Sequence, residues 1–558
     1  VLIVISVIGV RLLQLQGLDR SAYAASAQVQ QTHTVTLAAT RGSIIDRNGD
    51  VLAESVDARN VIADPEQITD PLDVATQLAT FLNRPVGQLA RQLEVKGSQY
   101  ALLTPTPVTP TIGDAIVAMK LPGITTTDVS RRIYPDGDLA SNVVGFVNSF
   151  SGLGAGGLEL SYQAQLAGHN GEETYQVGAN GDMIPDGETT SRPVVPGTGL
   201  RLTLQRDIQF EAQRAINAQV HATKALSGTV IVMNPTNGQI LALAVAPGFD
   251  PNHYGSYPGA DLGDPAVSDP YEPGSVNKVI TMSAGLQDKL VTPNSRFVIP
   301  GSFYDNGTVF HDAESHGTER LTLTGILAKS SNIGAIKVAK LLGPKRLDYY
   351  LHAYGFGRTT GLGLPSESPG ILPPLTQWSG TTLPTVSYGQ GIGVTAVQIA
   401  SVYSTIANGG VRVTPNIIAG TEGPDGKFHA AAPPAQHRVI SGHVAEELRN
   451  MLEAVTTNEG TAPAARIEGY RVAGKTGTAS RPNGHGGYAG AGYTASFVGM
   501  VPADHPKLVC EVVLDRPLRG YFGGAVAAPV FHTVMSFALQ TMKIPPTFTR
   551  PPSARLTW

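Results

Sequence analysis

A single cysteine, Cys510, in 558 residues rules out an intrachain disulfide and any zinc site built from several thiolates. Its setting, Leu508-Val509-Cys510-Glu511-Val512-Val513, is that of a core thiol and not of an activated nucleophile. Charge of one sign is also missing. Lys plus Arg is 40 against 44 Asp plus Glu, a formal net charge of -4, so no basic field is available to hold a polyanion and no nucleic acid is expected as a partner. There is no fixed-period repeat, and Gly 63 with Pro 40 stay below the ~25–30% of low-complexity chains, so a folded, loop-rich protein is expected. At roughly 150 residues per domain the length allows three or four folding units.

No uninterrupted apolar run reaches the ~20 residues of a full membrane span. The nearest is VLIVISVIGV, Val1 to Val10, halted by Arg11. Ten helical residues rise about 15 Å against a hydrocarbon core near 30 Å. Residues 1–20 therefore read as the distal half of a single transmembrane anchor whose start lies upstream, with everything after residue 20 on one side. No small-residue cleavage site precedes the helical RLLQLQGLDRSAYAASAQVQ, which favours a retained anchor over a signal peptide. A buried terminal helix or strand is the alternative.

What is present divides into two textures. Residues 33–63 alternate as strands around an Asn48-Gly49 turn; Asp70 and Pro71 then open a helix, Gln88 to Leu93 continues a second, and Pro105, Pro107 and Pro110 break the pattern. Leu158 to Leu166 can form a short helix. Residues 186–199, rich in proline and glycine, read as a linker. After it come a helix from Asp207 to about Ala222 and a hairpin of LSGTVIVMN with GQILALAVA. Later runs YRVAGKTGTAS, TASFVGMVP and KLVCEVVLD make five strands, and a helix from Val530 to Gln540 follows. Between lie helical patterns at Ser275 to Lys289, Thr322 to Ala339 and Val397 to Asn408. The predicted fold class is α+β: an antiparallel five-stranded sheet flanked by helices, with an inserted all-α region.

Three short elements carry chemistry: Ser275-Val276-Asn277-Lys278, Ser330-Ser331-Asn332 and Lys475-Thr476-Gly477-Thr478. A Ser-x-x-Lys alone arises by chance roughly twice in such a chain, and a serine cap with a surface lysine is its ordinary reading. Here Pro273-Gly274 precede it and an apolar helix follows, so Ser275 sits at a helix start where free N–H groups favour a developing anion. Lys278 is one turn on; desolvated, its amine can lose its proton and accept that of Ser275. Strand alternation puts Lys475 and Gly477 on one face, where Gly477 lets another backbone approach closely and an edge strand can bed an extended peptide. An edge strand with a solubilising lysine is the plainer alternative. Ser330-Ser331-Asn332 is the weakest of the three, being also a plausible helix cap; it offers a hydroxyl to relay a proton and a carboxamide to hold a substrate amide.

EPGSVNK, SSN and KTGT, in that order inside an α/β domain, resemble the active-site elements of the penicillin-binding serine acyl-transferases. Arg41-Gly42-Ser43-Ile44-Ile45-Asp46-Arg47-Asn48-Gly49, Gly157-Leu158-Glu159 and SYGQGIGVTAVQIASVYSTIANGG from Ser387 to Gly410 extend the likeness to class B, monofunctional penicillin-binding proteins over nearly the whole chain. The resemblance implies an anchor over 1–20, a β-rich pedestal or dimerisation domain over 21–185, a linker over 186–199, a transpeptidase domain over 200–543 and a Pro-rich tail over 544–558. It implies Ser275 as nucleophile, Lys278 as its base and Ser330 as proton carrier to the leaving amine. Asn332, Lys475, Thr476, Gly477 and Thr478 would bind substrate, and the N–H groups of Ser275 and Thr478 would form the oxyanion hole. The implied activity is peptidoglycan D,D-transpeptidation on stem peptides, inhibited by β-lactams, in septal wall synthesis, the compact pedestal favouring division over elongation. A D,D-carboxypeptidase, a β-lactamase-type hydrolase and a non-catalytic β-lactam sensor or scaffold are the rivals; Ser-Ser-Asn in place of Ser-Asp-Asn leans away from class A β-lactamases. Partners implied are the membrane, a polytopic glycosyltransferase and other division proteins.

No cofactor is expected. His311-Asp-Ala-Glu-Ser-His316 lacks the His-Glu-x-x-His spacing and reads as a polar loop, so no metal is predicted. The glycines of 355–357 and 389–393 do not open a helix after a first strand, which argues against nucleotide binding. The loop with Gly484, Gly486, Gly487, Gly490 and Gly492 would overhang the site.

Overall fold

The computed structural model describes residues 2–14, 32–178, 183–485 and 487–558. Helix α1 (Leu2–Leu13) exposes Ile3, Val4, Ile5, Val7, Ile8 and Val10 to solvent. Its 12 residues cover about 18 Å, and among the described residues no helix is long and apolar enough to cross a membrane. The helical reading of residues 15–30 lies outside the described residues.

Strand β1 (Thr32–Leu37) is followed by β2 (Ile44–Ile45) and β3 (Val51–Ala63), which flank the expected turn. Asp46 Oδ1 closes that turn by accepting from the N–H groups of Asn48 (2.6 Å) and Asp50 (2.9 Å). Helix α2 (Pro71–Leu82) starts as read, with the Asp70 carboxylate accepting from Asp73 N and Pro71 at the first position. Helix α3 (Val86–Leu93) begins two residues before the expected start. Pro110, read as a breaker, instead opens α4 (Pro110–Ala118), because proline at a first helical position forfeits no hydrogen bond. Strand β4 (Ile124–Ile133) pairs antiparallel along β3, and Val61, Leu78, Leu89, Leu93 and Ile116 form the core beneath.

The single helix expected over Leu158–Leu166 is two short turns, Gly157–Ser161 and Gln163–Leu166, parted at Tyr162. The first turn brings Glu159 into the interior. There its carboxylate meets Arg41 Nε at 2.6 Å and Arg132 Nε at 2.7 Å, so two sequence motifs over a hundred residues apart close on one buried charge cluster. Strands β5 (Gly171–Gln176) and β6 (Thr189–Arg192) complete a three-stranded sheet in the order β1-β5-β6. β6 lies within the stretch read as a linker; its Thr-Thr-Ser-Arg has no apolar alternation to betray it. Strand β7 (Gly199–Leu202) runs parallel to β2 on one side and antiparallel to Ile418–Glu422 on the other, so one sheet is continuous between the N-terminal and C-terminal parts.

The C-terminal half is built on helix α5 (Arg206–Thr223), strands β8 (Ser227–Met233) and β9 (Ile240–Ala246), and three later strands: β10 (Ala473–Ser480), β11 (Tyr493–Val501) and β12 (Leu508–Asp515). They form the expected antiparallel sheet, in the order β9-β8-β12-β11-β10. Its central strands are apolar on both faces because both are covered. α5 packs Ile208, Ala212 and Ile216 against Val230 and Val232, and a helix over Ala396–Ala407 packs Val397 and Ala400 against Ile231 and Met233. Cys510 is buried in β12.

The middle, expected as all-α, is mainly helical but carries two-stranded ribbons: Arg296–Ile299 with Glu319–Thr322, and Phe303–Asp305 with Thr308–Phe310. Asn306 (φ 46°) and Gly307 (φ 83°) supply the consecutive positive φ angles of a tight hairpin turn, a signal the sequence did offer. The helix read over Thr322–Ala339 is also broken. It is two helices, Leu323–Ala328 and Asn332–Leu342, parted at Lys329-Ser330-Ser331, where Ser330 is left-handed (φ 60°). Ser331 Oγ caps the second by accepting from Gly334 N at 2.9 Å.

Candidate active site

Ser275 lies in a single tight turn, Gly274–Asn277, that runs into helix α6 (Lys278–Gln287). The first turn is 3₁₀ and not α, and it is anchored on three sides. Gly274 takes φ 57° and donates its N–H to Gly389 O at 2.9 Å. Asn277 Nδ2 donates to Val386 O at 2.8 Å, and Tyr403 donates its hydroxyl to Val276 O at 3.0 Å. Thr281 adds a bond to Ser387 O at 2.8 Å. The Ser387–Gly391 segment is thus the bed on which the serine turn rests; a side chain at Gly389 would collide with Gly274.

Lys278, fully buried, reaches Ser275 Oγ at 3.0 Å, Ser330 Oγ at 3.2 Å and Asn332 Oδ1 at 2.8 Å. Burial lowers its pKa to about 7, with Asp312 pulling the other way. Lys475, on the facing strand β10, is also fully buried and donates to Ser330 Oγ at 2.8 Å and Thr476 O at 3.1 Å. Burial, then repulsion from Lys278, holds it well below the ordinary lysine range. Ser330 gets between the two amines because the break before helix Asn332–Leu342 turns it inward; Ser330 and Ser331 hang their N–H groups on Leu327 O and Ile326 O at 3.3 and 3.0 Å.

The remaining expected residues divide. Asn332 joins the network but spends its amide internally, accepting from Lys278 and donating to His311 O at 3.0 Å. Thr476 and Thr478 line an open cleft of about 600 Å³ together with Ser275, Ser330 and Phe522. Thr476 shares a hydrogen bond with Thr461 at 2.8 Å, and Thr478 Oγ1 accepts from Gly523 N at 3.2 Å. Gly477 pairs with Ser496 in the strand ladder and has no side chain to bring to the cleft. Its use is space: a Cβ there would collide with Ser496 Oγ and stand 3.1 Å from Pro273 O and 3.2 Å from Val276 Cγ1. The strand and the serine turn touch because this position has no side chain.

Sequence reasoning missed three contributors. Asp312, in the segment read as a polar loop, accepts from Ile333 N at 2.9 Å and from His316 Nε2 at 3.0 Å, and its charge bears on Lys278. Thr461 and Gly523 flank the two threonines of β10 from distant loops and had no local signal. Among the described residues no three His, Cys, Asp or Glu side chains gather as a metal would need. The glycine-rich loop is moored to the site by Tyr488, whose hydroxyl donates to Glu272 Oε1 at 3.0 Å; the same oxygen accepts from Gly391 N at 2.9 Å.

A serine hydroxyl within reach of a desolvated, near-neutral amine, with a second hydroxyl between two lysines, can exchange protons and accept an acyl group. The chain belongs to the penicillin-binding protein family of class B architecture: the Penicillin binding protein transpeptidase domain matches residues 228–536 and the Penicillin-binding Protein dimerisation domain residues 36–202. It is 36% identical to penicillin-binding protein PbpB of Mycobacterium tuberculosis, covering 98% of this chain and 84% of that one. To peptidoglycan D,D-transpeptidase FtsI of Escherichia coli it is 33% identical over 93% of this chain and 86% of that one. Among solved structures, penicillin-binding protein 3 of M. tuberculosis complexed with aztreonam is similar, with 33% identity, a TM-score of 0.74, and coverage of 94% of this chain and all of that one.

Proposed function

We propose that this chain is a peptidoglycan D,D-transpeptidase of the septal, cell-division type, acting from the outer face of a membrane in which residues 1–20 form part of a single anchor. The observation that carries the reading is the buried Lys278 amine, poised near neutral and 3.0 Å from Ser275 Oγ. Lys278 takes the Ser275 proton as the oxygen attacks the carbonyl of the penultimate D-Ala of a stem peptide. The bond to the terminal D-Ala then breaks, and Ser330 hands a proton to the departing amine. An amine of a second stem attacks the ester, releasing Ser275 and forming the cross-link. Thr476 and Thr478 face the cleft where a substrate carboxylate would lie, and the N–H groups of Ser275 and Thr478 would steady the oxyanion. A β-lactam would acylate the same oxygen.

Residues 21–185 serve as a pedestal whose surface docks a polytopic glycosyltransferase. Surface substitutions there that preserve folding should weaken co-purification with that partner while leaving acylation intact. The activity is tested by intact-mass spectrometry with penicillin: one adduct on the wild type and none on Ser275→Ala. Acylation mapped to Ser330 or Ser331 would overturn the assignment. Incubation with lipid-linked substrate separates transfer to an amine from hydrolysis by water.

A further inference from the structure

The last residues of the chain return to the helix that delivers Ser330. Thr322, the N-cap of helix Leu323–Ala328, donates its backbone N–H to Leu556 O at 2.9 Å. Its hydroxyl accepts from Gly325 N at 3.0 Å and donates to Arg555 O at 2.5 Å. The tail thus satisfies the donor side of the group that caps this helix. The Leu556 side chain, 9% exposed, packs against Ala328 and Ala454. Gly325 leaves room for the Leu556 carbonyl, with which any side chain there would collide. Trp558 donates to Arg320 O at 3.3 Å, and its ring lies 5.2 Å from the guanidinium carbons of both Arg296 and Arg320.

That helix is only six residues long, and its final carbonyls are what hold the Ser330 and Ser331 N–H groups. A helix so short has little stability of its own and takes its position from what packs on it. We propose that residues 555–558 act as a positioning strap for Ser330: by capping Thr322 and seating Leu556 against Ala328, they fix the helix whose end sets the Ser330 hydroxyl between Lys278 and Lys475. The inference rests on the proton-carrying role of Ser330 proposed above.

The test is the second-order rate of acylation by a fluorescent penicillin, followed against pH in the full chain. Leu556→Ala and Thr322→Val should each slow acylation by about 10-fold, as sub-ångström misplacement of a proton carrier does. They should also move the acid limb of the rate to higher pH, because a loosened Ser330 turn admits water to Lys278. Thr322→Ser, which keeps the capping hydroxyl, should restore both rate and limb. A merely stabilising tail would lower the melting temperature and leave the limb where it was, which would overturn the proposal. If Leu556→Ala fails to fold, the Thr322→Val and Thr322→Ser pair and Trp558→Ala, at an exposed position, decide; wild-type rates in all of them overturn it. Ser330→Ala separates the two readings: normal acylation there defeats the role of Ser330 itself, whereas slow acylation with normal strap variants defeats only the strap.

Discussion

Lys278 and Lys475 direct their amines at one oxygen, Ser330 Oγ, at 3.2 and 2.8 Å. Both side chains are fully buried, so each ammonium is costly and the charge of one disfavours the charge of the other. The site therefore has a free base near neutrality without any histidine.

Acylation should rise with pH through about 7, by roughly 10-fold per unit on the acid side, because only unprotonated Lys278 can accept the Ser275 proton. Asp312 favours the ammonium form, so Asp312→Asn should move the limb to lower pH. Rates of penicillin acylation between pH 5 and 9 check this; a limb that stays put on removing Asp312 would contradict it.

Lys278→Arg should lose acylation nearly as fully as Lys278→Ala. A guanidinium stays protonated and cannot serve as base at neutral pH. Near-normal adduct formation by mass spectrometry in the arginine variant would mean that Lys278 supplies charge alone.

Gly477→Ala should slow acylation about 10-fold and cost about 1–3 kcal/mol of stability, because the new methyl overlaps Ser496 Oγ and crowds Pro273 O and Val276 Cγ1 beside the nucleophile. Ser496→Ala removes the hydroxyl that the methyl meets first, so the double variant should recover part of both losses. A double-mutant cycle by denaturant unfolding and acylation rate reads the coupling.

Much of this arrangement was legible because the chemistry is local. The Ser275–Lys278 spacing fixes one helical turn, and the strand alternation in AGKTGTAS places Lys475 and Gly477 without reference to the rest of the fold. The cap at Ser331 was legible in Ser330-Ser331-Asn332, but the left-handed residue before it was not, since Lys329-Ser330-Ser331 contains neither glycine nor proline. The partners of the Ser330 hydroxyl are equally remote from local pattern, two lysines 52 and 145 residues away. Asp312 was hidden for the same reason: its segment looked like a solvated loop until the fold laid it over Lys278. Strand β6 escaped because its residues carry no apolar pattern; its pairing with Glu172 to Tyr175 rests on the backbone ladder and an exposed ion pair of Arg192 with Glu172 at 3.0 Å, neither of which shows in local sequence.

Glu159→Ala should destabilise the chain by about 3–5 kcal/mol, since it leaves Arg41 and Arg132 buried without their shared counter-charge. Urea unfolding measures it, and a loss below about 1 kcal/mol would show that water or another acid replaces the carboxylate.

Strand β7, bonded to Ile44–Ile45 on one edge and Ile418–Glu422 on the other, has a mechanical meaning. Tension applied to the N-terminal part is borne across a hydrogen-bonded seam and not across a free joint, so it arrives in the catalytic half as shear. Shear loads several hydrogen bonds at once, where a swivel would load none. The amides of Leu200 and Leu202, both buried, should accordingly be among the slowest to exchange, and the two parts should yield to force as one body before either unravels.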